Sequence, residues 1–249
     1  IFCILIGIYL VLLTIIPPKK IHPLARLIAR ILLAAGGQWL IIKGSPPPED
    51  GRPYLYLFNH QSLFDSFVLV AAIPHYITAV GANKQFSWPI WGFLVKRYGV
   101  IPIKRRKLKA AIHSLSLAEN AVKEGVSFII SPEGTRTLTG ELGGFKKGAF
   151  HVAKNTGVSI VPIGIQGAFE AKNKNDWRIK PGILTLHFGK AIHSDESKQM
   201  TIEELRDEYE RDLKRILELG ELIIGYQDVL DKHNLEVTLI KKGINKDGV

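Results

Sequence analysis

Short apolar runs rich in Val, Ile, Leu, Tyr and Phe recur along this chain at 54–58, 77–80, 99–103, 126–130, 158–165 and 183–188, and helical patterns fill the gaps between them. Strands separated by stretches long enough to form crossover helices predict an α/β domain: a mostly parallel or mixed central sheet flanked by helices. The helices read separately. Leu108, Ala111, Ile112, Leu115, Ala118 and Val122 form one apolar stripe that Gly125 ends. Thr201-x-x-Glu204 is a capping box ahead of Ile202, Leu205, Tyr209, Leu213, Ile216 and Leu217. The run 183–188, ILTLHF, alternates and is expected at a sheet edge. With 249 residues, the chain has room for one such domain with a full core plus an appendage.

The appendage is expected at the N-terminus. Residues 1–16 carry no charge, and Pro17-Pro18-Lys19-Lys20 ends the run. As a helix, sixteen residues span about 24 Å, short of a roughly 30 Å bilayer core. A second apolar stretch, read as a helix, runs from Leu24 to Ile42 with Arg26 and Arg30 on one face. A transmembrane hairpin, shallow insertion into one leaflet, and packing on the globular core all compete here. Arg26, Arg30 and Gly36-Gly37 suit mid-bilayer poorly, and so apolar a segment left in water is costly, which favours shallow insertion as a two-helix membrane anchor. The expected division is a membrane-associating segment over 1–43, a Pro-rich linker over 44–51 and an α/β domain over 52–249. The tail from Gly220 to Val249 reads as a short helix and a strand, LEVTLI.

Charge narrows the partners. Lys and Arg number 33 against 23 Asp and Glu, a net +10, so the chain should seek anionic lipid, phosphorylated substrates, an acidic carrier protein or nucleic acid. No basic motif interleaved with aromatics appears, which argues against nucleic acid. Lys19, Lys20, Arg26, Arg30 and Lys43 around the apolar segment point to an anionic cytoplasmic leaflet, with the globular domain on the cytoplasmic face of the membrane. The single cysteine, Cys3, excludes an intrachain disulfide and a cysteine-based metal cluster.

Chemistry concentrates where strands end. Asn59-His60-Gln61-Ser62-Leu63-Phe64-Asp65 follows the run 54–58, and an imidazole serves as a general base when a carboxylate fixes its tautomer. The pair can meet only if His60 lies in the loop and Asp65 on the next helix, which Ser62 caps and Pro74 stops. Ser62-x-x-Asp65 also resembles a capping box, in which Asp65 would only satisfy backbone N–H groups. The run 126–130 ends in Ser131-Pro132-Glu133-Gly134-Thr135-Arg136, where Arg136 offers a planar fork for phosphate and Gly134 lets the backbone come close. Lys104 and Arg105 follow a third strand, and Lys84 a fourth. A base, a carboxylate and several cations at neighbouring strand ends describe one pocket.

In these motifs the chain resembles the 1-acylglycerol-3-phosphate acyltransferases of the glycerolipid acyltransferase family. Asn59-His60 to Asp65 matches the family's H-x4-D dyad, Gly99-Val100-Ile101-Pro102-Ile103-Lys104-Arg105 its second block, Glu133-Gly134-Thr135-Arg136 its third and Val161-Pro162-Ile163 its fourth. Lys104 stands where the family commonly has an acidic residue. The resemblance implies transfer of a fatty acyl group from an acyl carrier protein or coenzyme A thioester to the sn-2 hydroxyl of lysophosphatidic acid, giving phosphatidic acid. His60 would be the base and Asp65 its orienting partner, with backbone N–H groups at the following helix start receiving the oxyanion. Arg136, Arg105, Lys84 and Lys104 would hold the phosphate, and Glu133, Gly134 and Thr135 would shape the acceptor site. Lys146 and Lys147 would either guide the donor's phosphates or simply open a surface helix. The donor is already activated, so neither metal nor other cofactor is expected. Two alternatives stay open: an acyltransferase for glycerol-3-phosphate or another lysolipid, and a non-catalytic protein that binds anionic lipid.

Overall fold

The computed structural model describes residues 2–104 and 108–219. Arg105 and the 220–249 tail, with its expected strand, lie outside the described residues. Seven strands form one sheet: β1 (Gln38–Lys43), β2 (Tyr54–Phe58), β3 (Ile77–Ala82), β4 (Ile101–Ile103), β5 (Ser127–Ile130), β6 (Ser159–Gln166) and β7 (Gly182–Phe188), in the order β1-β7-β6-β2-β5-β3-β4. The β2–β6 block is parallel throughout, β7 runs antiparallel to β6, and β1 lies parallel to β7. The sheet is therefore mixed. β1 and β7 begin at the end where the other five strands finish.

Helices cover both faces. On one face, α2 (Pro18–Ala35) and α3 (Phe64–Ala72) bury Ala29, Leu33, Val68 and Leu69 against Tyr56, Phe58, Ile163 and Leu186. On the other, α5 (Leu108–Lys123), α6 (Gly148–Thr156) and a helix over 202–219 bury Ala118, Val122, Phe150, Leu205, Tyr209 and Leu213 against Leu55, Leu57 and Phe128. β2 is buried at every position, as a strand with helices on both sides must be. The Thr201 capping box forms as read: Thr201 N–H donates to Glu204 Oε2 at 2.7 Å and Glu204 N–H to Thr201 Oγ1 at 3.2 Å. Of the α5 stripe, Ala118 and Val122 are buried, while Ile112 stays exposed.

Two readings need correction. Gln38–Lys43 is strand and not the end of a second apolar helix, because α2 stops at Ala35 and the chain reverses at Gly36-Gly37, where Gly37 takes φ +76°. The sheet thus begins inside the segment assigned to the anchor. The run 183–188 is not an edge strand. β1, 144 residues upstream, pairs with its outer side from Gln38↔Gly182 to Lys43↔His187, leaving β1 and β4 as the edges among the described residues.

α1 (Phe2–Ile15) and α2 pack as a hairpin through Tyr9, Leu13, Ile21 and Ala25, joined by Tyr98. The α2 residues Ile21, Ala25, Ala29 and Leu33 repeat at four-residue spacing, so one stripe faces the domain. His22 fixes the hairpin: its ring nitrogens lie 2.6 Å from Tyr98 OH and 3.1 Å from the Ile73 carbonyl. Burial pulls the His22 pKa down to about 4, so the ring is neutral, accepting from the tyrosine and donating to the carbonyl. The Arg97 guanidinium donates to the Leu13 and Thr14 carbonyls at 2.7 and 2.9 Å, closing the end of α1 with a cation. Among the described residues, no helix is long and apolar enough to cross a membrane.

Candidate active site

The site lies where β2 and β5, adjacent and parallel, run out. β2 ends at Phe58, the chain turns through Asn59–Leu63, and α3 starts at Phe64 with Asp65 in its first turn. His60 Nδ1 lies 2.7 Å from Asp65 Oδ2, and the same oxygen accepts the backbone N–H groups of Gln61 at 2.8 Å and Ser62 at 2.9 Å. The dyad and the helix cap are thus one arrangement. Asp65 is fully buried, its other oxygen has no partner among the described residues, and the His60 side chain keeps 19% of its surface open. A carboxylate can only accept, so Nδ1 carries the proton and Nε2 presents a lone pair to the open side. Ser62 caps from two positions back, accepting the Phe64 N–H at 3.2 Å.

The His60 main chain is held from both sides. Its N–H donates to Glu133 Oε1 at 2.7 Å, and its carbonyl accepts from Thr137 N–H at 2.8 Å. Glu133 Oε2 takes the Gly143 N–H at 2.8 Å. Glu133 is buried and its pKa is pushed up by desolvation, against which the two N–H bonds act. Asn59 holds the loop to β6 through both edges of its amide, Nδ2 donating to the Ile165 carbonyl at 2.8 Å and Oδ1 accepting the Ile165 N–H at 2.7 Å. Nothing in the sequence names these backbone functions of Glu133, Thr137 and Asn59. The only sequence signal was the position of Asn59 and Glu133, each just past a strand end.

A cavity of about 1990 Å³ opens beside His60. Ser131, Gly134, Thr135, Arg136, Lys84, Lys146 and Lys147 line its polar part. Its apolar part runs between α2, α3, β3 and α4 (Trp91–Arg97), past Phe67, Val70, Ala29 and Ala25 to Tyr9. Gly134 takes φ +70°, and a side chain there would meet the Lys146 ammonium at 2.9 Å. The structure thus brings His60, Asp65, Lys84, Gly134, Thr135 and Arg136 together. It turns Glu133 inward to the main chain, and Lys104 is not among the residues lining the cavity. Lys147 is paired with Glu203. Of the N–H groups at the helix start, those of Gln61 and Ser62 serve Asp65 and that of Phe64 serves Ser62.

A buried carboxylate thus stands behind an imidazole at the mouth of an apolar cavity rimmed by cations. The acyltransferase family profile matches residues 41–166, half of the chain, and the chain belongs to that family. It is 34% identical over 174 residues to a 1-acyl-sn-glycerol-3-phosphate acyltransferase of Cocos nucifera, covering 67% of this chain and 56% of that protein. To the enzyme of the same name from Limnanthes douglasii it is 33% identical over 198 residues, covering 76% of this chain and 68% of that one. The chain spans about half the length of several of the curated relatives it matches. The crystal structure of the 1-acyl-sn-glycerophosphate (LPA) acyltransferase PlsC from Thermotoga maritima superposes with a TM-score of 0.75 over 86% of this chain and 88% of that one, at 23% identity. At that identity the likeness is one of fold.

Proposed function

We propose that this protein transfers a fatty acyl group from an acyl thioester to the sn-2 hydroxyl of lysophosphatidic acid, forming phosphatidic acid. The observation that carries the proposal is the His60–Asp65 pair opening on one cavity that holds both Arg136 and a long apolar recess. That cavity exceeds the roughly 300–1,000 Å³ of an ordinary ligand pocket, as two substrates require.

In the reaction, His60 Nε2 takes the proton of the acceptor hydroxyl as its oxygen attacks the thioester carbonyl. Asp65 holds the ring and stabilises the imidazolium that forms. The tetrahedral intermediate collapses, the C–S bond breaks, and a thiolate of coenzyme A or acyl carrier protein leaves; the imidazolium proton is available to it. Arg136, with Lys84 and Lys146 nearby, grips the acceptor's phosphate, for which a guanidinium supplies paired donors. No metal is required, since a thioester is an activated donor. The acceptor's own acyl tail keeps it in a bilayer, so the catalytic domain works at an anionic membrane surface, on the cytoplasmic side. Val11, Ile15, Leu27 and Ile31, exposed on the outer side of the α1–α2 hairpin, support shallow docking by these helices.

The test is thiol release from acyl-coenzyme A and from acyl carrier protein, each with lysophosphatidate, comparing the native protein with His60→Ala. Loss of turnover by about 10²- to 10⁴-fold is expected for the variant. Comparable turnover in both would overturn the mechanism, and glycerol-3-phosphate as a better acceptor would overturn the substrate.

A further inference from the structure

The loop that joins α7 (Ala168–Ala171) to β7 carries a feature that the proposed reaction does not use. Trp177 is 86% exposed and Ile179 is 53% exposed, yet the loop that presents them is tightly bonded. Lys172 Nζ donates to the Asn173 and Asp176 carbonyls at 2.7 and 2.5 Å, and Asn173 Oδ1 accepts the N–H groups of Asn175 and Asp176 at 2.9 and 2.8 Å. Lys180 N–H returns to the Ala171 carbonyl at 2.9 Å, closing the loop on itself. A loop this constrained holds an indole in water when a slack one would fold it back onto apolar surface.

Topology places this loop at the working end of the molecule. Because β7 and β1 run against the other five strands, their first residues lie at the end where β2 delivers His60. Three contacts fix the position. Ser62 Oγ, two residues from the base, donates to the Lys172 carbonyl at 2.6 Å; Gln38 Nε2 donates to the Lys180 carbonyl at 2.7 Å; and Gly182 N–H donates to the Gly37 carbonyl at 3.1 Å. Immediately beyond, Trp39 on β1 faces out at 75% exposure, in register with Ile183 at 56%. Lys174, Arg178 and Lys180 stand around these apolar tips, with Asp176 paired to the last two at 3.0 and 3.3 Å. Three cations against one carboxylate leave the patch positive.

We infer that Trp177, Ile179, Trp39 and Ile183 with Lys174, Arg178 and Lys180 form a lipid-contacting face that seats the catalytic end of the sheet on an anionic bilayer, separately from the α1–α2 hairpin. Exposed tryptophans ringed by cations match the chemistry of the headgroup region, where indole rings partition and Lys and Arg meet phosphate. The clamp between Ser62 and Lys172 ties the depth of this face to the position of the catalytic helix. Lys174 lines the cavity as well, so the same loop borders its mouth.

The face extends the proposed function, but its first test is independent of catalysis. Full-length protein is sedimented with phosphatidylcholine vesicles containing or lacking phosphatidylglycerol, comparing the native chain with Trp177→Glu and with the Trp39→Glu/Trp177→Glu pair. All of these positions are exposed, so folding is preserved, as a thermal melt verifies. The double variant is expected to bind phosphatidylglycerol vesicles at least about fivefold more weakly, with the single variant between. Binding within about twofold of the native chain for the double variant would overturn the inference. The second readout is thiol release with long-chain lysophosphatidate in vesicles against a short-chain acceptor in free solution. Loss confined to the vesicle acceptor supports the face, and equal loss on both overturns it. If the native protein releases no thiol with either acceptor, the acyltransferase reading fails while the sedimentation result stands.

Discussion

Glu133 reaches His60 through the main chain: its Oε1 accepts the His60 N–H at 2.7 Å while the imidazole of the same residue turns away to Asp65. A buried side chain with each oxygen taken by a main-chain N–H positions the base and has little freedom to follow a substrate. Glu133→Ala leaves the His60 N–H without its partner, at up to about 1–3 kcal/mol, while the N–H of exposed Gly143 can turn to water. Steady-state assays should show kcat lowered by roughly 10- to 100-fold with the KM for lysophosphatidate little changed, alongside a lower melting temperature. A rise in KM at constant kcat would instead mark Glu133 as an acceptor ligand.

Asp65→Asn keeps an oxygen for the Gln61 and Ser62 N–H groups but removes the charge facing the imidazolium. Turnover should fall by about 10²- to 10⁴-fold while the fold is retained. Circular-dichroism melts run beside the rate measurement separate this result from simple unfolding, which would lower both together.

Arg136 lines the cavity within the turn that Gly134 opens. Removing one cation from a phosphate site costs about 1.5–3 kcal/mol, so Arg136→Ala should raise the KM for lysophosphatidate by roughly 10- to 100-fold and leave kcat nearly intact. Arg136→Lys should recover only part of the loss, because an ammonium cannot present paired donors. Acceptor titration at saturating donor decides it.

His22 makes the seating of the α1–α2 hairpin sensitive to acid. Its pKa is lowered from 6.5 in the unfolded chain to about 4 when buried. The unfolded state binds the extra proton in that interval, so stability is full above pH 6.5 and declines as the pH falls towards 4. The decline is up to about 3 kcal/mol from this residue. Urea midpoints measured across the window should show the slope, and His22→Gln should flatten it.

Much of the fold was legible because each strand of the parallel block pairs a short apolar run with a polar turn, as at Phe58-Asn59 and Ile130-Ser131. β1 was not. Gln38-Trp39-Leu40-Ile41-Ile42 continues an apolar stretch whose composition suits a helix as well as a strand, and only Gly36-Gly37 marked the break. The interior place of β7 depends on that missed strand, since a chain segment cannot announce what pairs with its far side. Within the site, residues that act through side chains onto the cavity (His60, Arg136, Lys84) carried a chemical signature. Glu133 and Asn59 bond to main-chain groups, at His60, Gly143 and Ile165, which any residue could supply, so nothing in the sequence named their partners.

The amide of Asn59 grips Ile165 at both its N–H and its carbonyl, across 106 residues. The loop bearing the base is therefore fastened to a strand that the ribosome delivers well after the dyad and later than the arginine turn. A nascent chain holding His60, Asp65 and Arg136 but lacking β6 has every reactive group and no fixed place for them. Competence arrives with the closing of one distant contact, as expected where long-range pairings dominate assembly. A fixed place for the base thus waits on β6, before β7 and its partner β1 can complete the sheet.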